Sequence, residues 1–155
     1  MPRAASLTKD DYELLAQFRY TLRKFLGFSE RAALAHGVTP QQYQALLAIE
    51  GYPEKNWVTI GELAEQMQVA HHSAVGLVNR MQLLGLVKRA PAKDDRRRVE
   101  VRLTRTGLSV LEKLYRLHRE ELQTVGPKIA GLLQRATREP SRFASPACAM
   151  PEIED

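Results

Sequence analysis

The sequence predicts a mainly α-helical protein that carries one small β-hairpin wing. Apolar residues recur at intervals of three and four over most of the chain, the spacing that gives a helix one buried face. Thr39 with Gln42, and Thr59 with Glu62, form capping-box patterns that mark two helix starts. Between residues 86 and 103, two short segments alternate or nearly alternate apolar and polar side chains, as half-buried strands do. These observations predict a small lobe of helices and a hairpin, flanked by long N- and C-terminal helices.

Two short helices precede the hairpin. The first buries a narrow apolar stripe: Ile60, Leu63, Ala64 and Met67. The second is predicted from about residue 71 to 84 and buries Ala74, Leu77, Val78, Met81 and Leu84. Its outer side is small and polar near the start of the helix, and comprises His71, His72, Ser73, Val75, Gly76, Asn79 and Arg80. A helix with such a face can approach base edges in a DNA major groove, so we expect these residues to contact DNA.

The hairpin is strongly basic. Strands are predicted at 86–89 and 99–103, and Pro91 is expected to keep the loop between them out of regular strand. Residues 88–105 hold eight Lys or Arg against three Asp or Glu, which accounts for the whole net charge of +5. Solvated surface charge is the alternative interpretation, but an arginine-rich ribbon placed directly after two such helices fits a DNA minor groove. The wing residues expected to take part in DNA binding are Lys93, Asp95, Arg96, Arg97 and Arg98.

Residues 58–104 therefore have the pattern of a winged helix-turn-helix, and the chain resembles the MarR family of bacterial transcriptional regulators. Segments 60–65, 71–75, 77–81 and 84–87 carry the resemblance, which extends more loosely from about residue 10 to 136. Its most specific part is Asp95-Arg96-Arg97 followed by Leu103-Thr104 and Gly107.

The resemblance implies a homodimer that binds an inverted-repeat operator in double-stranded DNA and acts as a repressor. It also implies that Asp95 orients the wing loop while Arg97 enters the groove. Two positions depart from the family pattern: Ala70 stands where a capping Ser or Asp is common, and Gly76 where a longer polar side chain is common.

The chain is expected to form one MarR-like domain over residues 8–136, with a loose tail at 1–7 and a disordered tail at 137–155. Residues 8–36 and 105–136 are predicted to be dimerisation helices, because their apolar faces are too long for one small lobe to cover. Gly126-Pro127 is expected to break the C-terminal segment, so that a short final helix ends near Arg135.

Composition argues against several other classes of protein. No apolar run reaches the roughly 18 residues of a membrane span, and the start of the chain has no signal-peptide segment, so a cytoplasmic protein with no membrane partner is expected. No catalytic or metal-binding motif is present, and we expect no enzyme activity, no metal and no cofactor. Adjacent His71 and His72 diverge by about 100° on a helix and cannot easily share an ion. The single cysteine, Cys148, lacks a setting that favours the thiolate and is not expected to be a peroxide switch.

The resemblance further implies a small effector, bound between the dimerisation helices and the winged lobe. The candidate walls are apolar and aromatic, which suits a small aromatic or phenolic acid. They comprise Tyr12, Phe18, Phe25, Tyr43, Leu47, Tyr115 and His118. For His118, a packed and hydrogen-bonded histidine is the alternative interpretation. Two other functions stay open: a redox- or metal-responsive regulator of the same fold, and a winged helix used only for protein contacts.

Overall fold

The computed structural model describes residues 7–92 and 98–138 and has the predicted mainly helical fold with one antiparallel hairpin. The helices are α1 (Lys9–Ala35), α2 (Pro40–Glu50), α3 (Ile60–Met67), α4 (His71–Leu83) and α5 (Arg105–Thr137), and the strands are β1 (Val87–Pro91) and β2 (Val99–Leu103). In the part of the chain that is described, no helix is both long and apolar enough to cross a membrane.

Threonine side chains start four of the helices. Thr8, Thr39 and Thr59 each form a complete capping box with the side chain three residues later, which confirms the two predicted boxes and adds one at α1. Thr104 accepts from the Gly107 amide at 3.0 Å and caps α5, as expected. The N-cap residue of α4 is Ala70, whose side chain cannot accept a hydrogen bond. Backbone amides in the first turn of α4 are therefore available to another partner.

The core lies around α2, which contacts α1, α3, α4, α5 and β2. Leu46 and Ile49 of α2 are fully buried, together with Leu63 of α3, Met81 of α4 and Leu114 of α5. Burying a side chain of this size contributes about 1.5–3 kcal/mol. The lobe is therefore organised by α2, on which the two helices of the helix-turn-helix pack.

The hairpin differs from the sequence prediction at Pro91. Pro91 was expected to lie outside regular strand, but it is the last residue of β1 and pairs with Val99. The other side of β2 is occupied, because Val58 exchanges both backbone hydrogen bonds with Val101 at 2.8 and 3.1 Å. Strand β1 is thus an edge strand, where a missing backbone donor is tolerated.

Two other predictions for the helices are wrong. Leu84 was expected in the buried stripe of α4 but is exposed, because the helix ends at Leu83 and Gly85 adopts a left-handed conformation with φ 68° that redirects the chain. Helix α5 runs through Gly126 and Pro127 without the expected break. Proline removes only one backbone donor there, and the apolar spacing resumes beyond it at the buried Leu132, so packing outweighs the local cost.

Candidate nucleic-acid interface

The outer side of α4 has the exposure that the sequence predicts for a DNA-reading helix. Ala74, Leu77 and Val78 are buried and fix the inner side of the helix. The predicted contact residues lie on the other side, where Val75 and Gly76 are half-buried and the exposed ones are His71, His72, Ser73, Asn79 and Arg80. The inner side of α4 is therefore packed into the core, while its polar side chains face solvent, where they could contact the edges of bases if the helix entered a groove.

A tight turn sets the angle between α3 and α4. Gln68 adopts the left-handed conformation at φ 52°, and its side chain donates to the Glu65 carbonyl at 2.7 Å. The Val69 amide donates back to the Ala64 carbonyl at 3.0 Å. These bonds satisfy the last carbonyls of α3 and place Ala70 at the start of α4.

A cleft of about 280 Å³ separates the outer side of α4 from the first turn of α2. Its polar walls are Gln41 of α2 and His72, Ser73 and Arg80 of α4. Gln41 was not predicted from the sequence, because the local pattern around an exposed helical glutamine does not indicate how α2 packs against α4. A donor amide beside Arg80 extends the polar surface that a phosphate backbone would meet.

The base of the wing is held by a buried carboxylate. Glu100 of β2 is only 6% exposed, and Arg102 donates to its Oε2 from Nη2 at 2.6 Å and from Nε at 3.1 Å. The Ala92 amide donates to the Arg98 carbonyl at 2.8 Å and closes the hairpin just before its tip. Arg98 is exposed there, whereas Lys93, Asp95, Arg96 and Arg97 lie outside the described residues.

The loop between α2 and α3 packs against this base through Trp57, which is half-buried. Lys55 lies 3.7 Å from the centroid of the Trp57 ring and donates to Glu62 at 2.7 and 3.0 Å. Burial alone would raise the pKa of the Glu62 carboxyl, but the bonds from Lys55 and Thr59 outweigh it and hold that pKa below its usual 4.5. The ionised Glu62 therefore takes part in the cap of α3 and also binds Lys55 of the loop.

Comparison with known proteins agrees with this geometry. The family model for the MarR family matches residues 36–98, from the end of α1 to the start of β2. Residues 36–98 are therefore similar to the MarR family. The predicted resemblance is thereby confirmed.

A named transcriptional regulator is among the proteins to which the chain is similar. The chain is 36% identical over 84 residues to the transcriptional activatory protein BadR of Rhodopseudomonas palustris, a match that covers 54% of this chain and 48% of BadR. The match thus spans about half the length of that relative.

Solved MarR-family structures extend the likeness over most of the described chain. A MarR family protein from Bacillus stearothermophilus has a TM-score of 0.68 at 26% identity, covering 78% of this chain and 82% of its own. AbsC from Streptomyces coelicolor, a MarR family transcriptional regulator, has a TM-score of 0.69 at 20% identity, covering 87% and 94%. A mutant of MepR from Staphylococcus aureus, bound to an oligodeoxyribonucleotide, has a TM-score of 0.61 at 18% identity, covering 84% and 96%. At these last two identities the likeness shows the fold alone.

The effector residues expected from the MarR-family resemblance fall into two groups. Tyr43 and His118 are buried and stacked at 4.7 Å, with Phe25 edge-on to the imidazole at 6.0 Å. The ring of His118 is also bonded to the Leu114 carbonyl at 2.7 Å and to the Ser29 hydroxyl at 2.8 Å. Burial raises the pKa of the Tyr43 hydroxyl above 10.0. The side chains of this group pack against one another and join α1, α2 and α5.

The second group lies towards solvent. Leu47 and Tyr115 line an open groove of about 400 Å³ between the end of α2 and the start of α5, together with Arg116. Tyr12 is exposed near the start of α1, and Phe18 is half-buried on the same helix. The structure therefore brings Leu47 and Tyr115 to one groove and places Tyr12 and Phe18 on the long N-terminal helix. Among residues 7–92 and 98–138, no three His, Cys, Asp or Glu side chains lie together as a metal site would require.

Proposed function

We propose that this chain is a sequence-specific transcriptional regulator that binds double-stranded DNA. The observation that carries the proposal is the polar outer side of α4, with Arg80 exposed above a fully packed inner side and a basic hairpin beside it. A helix of this kind reads base edges in a major groove, and an arginine-rich ribbon suits the adjacent minor groove. The DNA-bound MepR structure has the same fold, which supports this placement. A surface used only for protein contacts has less need of so much positive charge.

The regulator is proposed to act as a homodimer. Large apolar side chains stay exposed on both long helices: Leu15, Tyr20 and Leu26 on α1, and Tyr115 and Leu122 on α5. Apolar patches on long helices are commonly covered by a partner, and a second copy of the chain offers the same helices. A two-fold dimer reads an inverted repeat whose half-sites lie about 10 base pairs apart.

Arg80→Ala is expected to weaken operator binding by about 1–3 kcal/mol for each protomer, the size of one groove contact. The operator is first selected from a random duplex pool with the wild-type protein, and binding is then followed by fluorescence anisotropy. The same titration should give two chains per duplex. Lys113→Ala, which removes an exposed cation from the opposite side of α5 to Tyr115 and Leu122, is the matched control and should bind like wild type. Failure of the wild-type protein to enrich any sequence would contradict the proposal.

A small aromatic carboxylic or phenolic acid is proposed to bind in the Leu47–Tyr115 groove. Its effect on operator binding is proposed to decide whether the protein represses or activates transcription. Tyr115 offers an aromatic wall there, and the Arg116 guanidinium can pair with a carboxylate. Release from the operator on binding would make the protein a repressor. Since BadR is named as an activatory protein, a promoter reporter must be read for both signs.

An effector of this class is expected to lower operator affinity in proportion to its preference for the DNA-incompetent state. A panel of small aromatic acids is titrated into the protein–operator complex, with the corresponding neutral amides as controls. The acids should release wild type at lower concentration than they release Arg116→Gln, and the amides should release neither. Equal release of both proteins by acids and amides would show that the carboxylate is not recognised at this groove.

A further inference from the structure

Trp57 lies between the first helix of the helix-turn-helix and the wing. Three cations lie near its ring: Lys55 of the α2–α3 loop at 3.7 Å from the centroid, and Arg98 and Arg102 of the wing at 5.5 and 5.8 Å. All three distances fall within the roughly 6 Å over which a cation is attracted to the electron-rich face of an indole. One half-buried side chain therefore contacts cationic groups that are up to 47 positions apart in sequence.

The Lys55 side of Trp57 is tied to α3. Lys55 is paired with Glu62 at 2.7 Å, and Glu62 accepts from the Thr59 amide at 2.7 Å in the capping box of that helix. Lys55 also lies 4.7 Å from the centroid of the Tyr52 ring. Its ammonium is thus fixed by a carboxylate and two aromatic faces, so the ring of Trp57 is fixed with respect to α3.

The arginine side is tied to the wing. Arg102 is paired with the buried Glu100 of β2 and also donates to the Asn56 side chain at 3.1 Å. The Arg98 carbonyl accepts from the Ala92 amide, and the Arg98 guanidinium lies over Trp57. Two carboxylates, Glu62 and Glu100, offset the repulsion between cations that meet at one ring.

We propose that Trp57 is a positioning residue that sets the wing, and the Arg98 guanidinium in particular, at the angle to α4 that DNA binding requires. The backbone pairing of Val58 with Val101 fixes only the strands, whereas the indole face fixes the arginine side chain at the point where the wing tip leaves the hairpin. This role rests on the proposed DNA-binding function. A residue that only packs would affect DNA binding whether or not Arg98 is present, whereas the proposed role of Trp57 depends on the Arg98 guanidinium.

A double-mutant cycle with Arg98 separates the two roles. In the wild-type background, Trp57→Ala should weaken operator binding about three- to fivefold for each protomer of the dimer, the size of one exposed cation–π contact, while Trp57→Phe should retain most of the affinity. In the Arg98→Ala background, Trp57→Ala should cause no further loss. Circular dichroism and urea unfolding of each variant show that the comparison is made between folded proteins. Equal weakening by Trp57→Ala in both backgrounds would overturn the positioning role.

Fluorescence gives a second readout that needs no change at Trp57. The chain has one tryptophan, so emission reports the surroundings of this ring. Operator binding should shift the emission of wild type, and Arg98→Ala should lose the shift at saturating DNA. A shift that survives in Arg98→Ala, or no shift in wild type, would also overturn the role, even if Trp57→Ala does not fold. A wild-type protein that binds no duplex would instead refute the proposed function on which this inference rests.

Discussion

Replacing Gly107 with alanine is expected to destabilise the protein by about 3 kcal/mol, the upper range for overpacking a close contact. A Cβ atom at this position would clash with the Leu86 carbonyl oxygen and would lie 3.3 Å from Cδ2 of Leu46. Leu86 cannot easily retreat, because its amide donates to the Met81 carbonyl at 2.9 Å and its own carbonyl accepts from the Thr104 amide at 3.0 Å. The start of α5 would have to move away from the turn that follows α4.

Gly131 provides the matched control in the same helix. No atom lies within 4 Å of a Cβ built there, and alanine is a better helix former than glycine by about 1 kcal/mol. Urea unfolding should therefore show Gly131→Ala to be as stable as wild type or slightly more stable. Similar unfolding midpoints for Gly107→Ala and Gly131→Ala would show that the contact with Leu86 does not limit the fold.

Gly107 also shows which features of the fold can be predicted from the sequence and which cannot. Its spacing from Leu103-Thr104 marked it as part of a family signature, but only the packing of α5 on Leu86 explains why no side chain fits there. The three capping threonines Thr39, Thr59 and Thr104 were predictable because a cap involves residues only three apart. Interactions between residues that are close in sequence leave a local pattern, so they can be predicted from that pattern.

The errors at Pro91 and Pro127 share a cause. Proline has a strong local tendency to end strands and helices, and both predictions relied on that tendency. At Pro91 the outcome depends on β1 being an edge strand, and at Pro127 it depends on the packing of Leu132 beyond it. Both facts are set by tertiary structure, which overrides a local preference worth a few kcal/mol.

The candidate interface also has parts that could be predicted from the sequence and parts that could not. The outer side of α4 was predictable, since helical periodicity alone separates Ser73 and Arg80 from the buried stripe. The cleft at Gln41 and the contacts of Trp57 were not, because each joins elements whose relative placement no short pattern contains. Residues that position a reading surface are harder to find from sequence than the residues on it.

Affinity for DNA is expected to fall about 10³- to 10⁵-fold between roughly 50 and 200 mM salt, which is the second large effect. Each protomer carries Lys93, Arg96 and Arg97 in the wing segment, and Arg80 and Arg98 are exposed beside it. If three to five of these meet phosphate in each protomer, a dimer displaces about six to ten counterions, and the logarithm of affinity falls with the logarithm of salt by nearly that slope.

The slope is measured by anisotropy on the selected operator and on a scrambled duplex. Arg97→Ala should reduce its magnitude by about two in a dimer, one for each protomer, on both duplexes, if the wing contacts the backbone. Lys113→Ala removes the same charge from α5 and should leave the slope unchanged, because Lys113 belongs neither to the wing nor to the outer side of α4. A slope near zero for wild type would mean that the positive charge concentrated in residues 88–105 does not meet phosphate, and the hairpin would then need a different ligand.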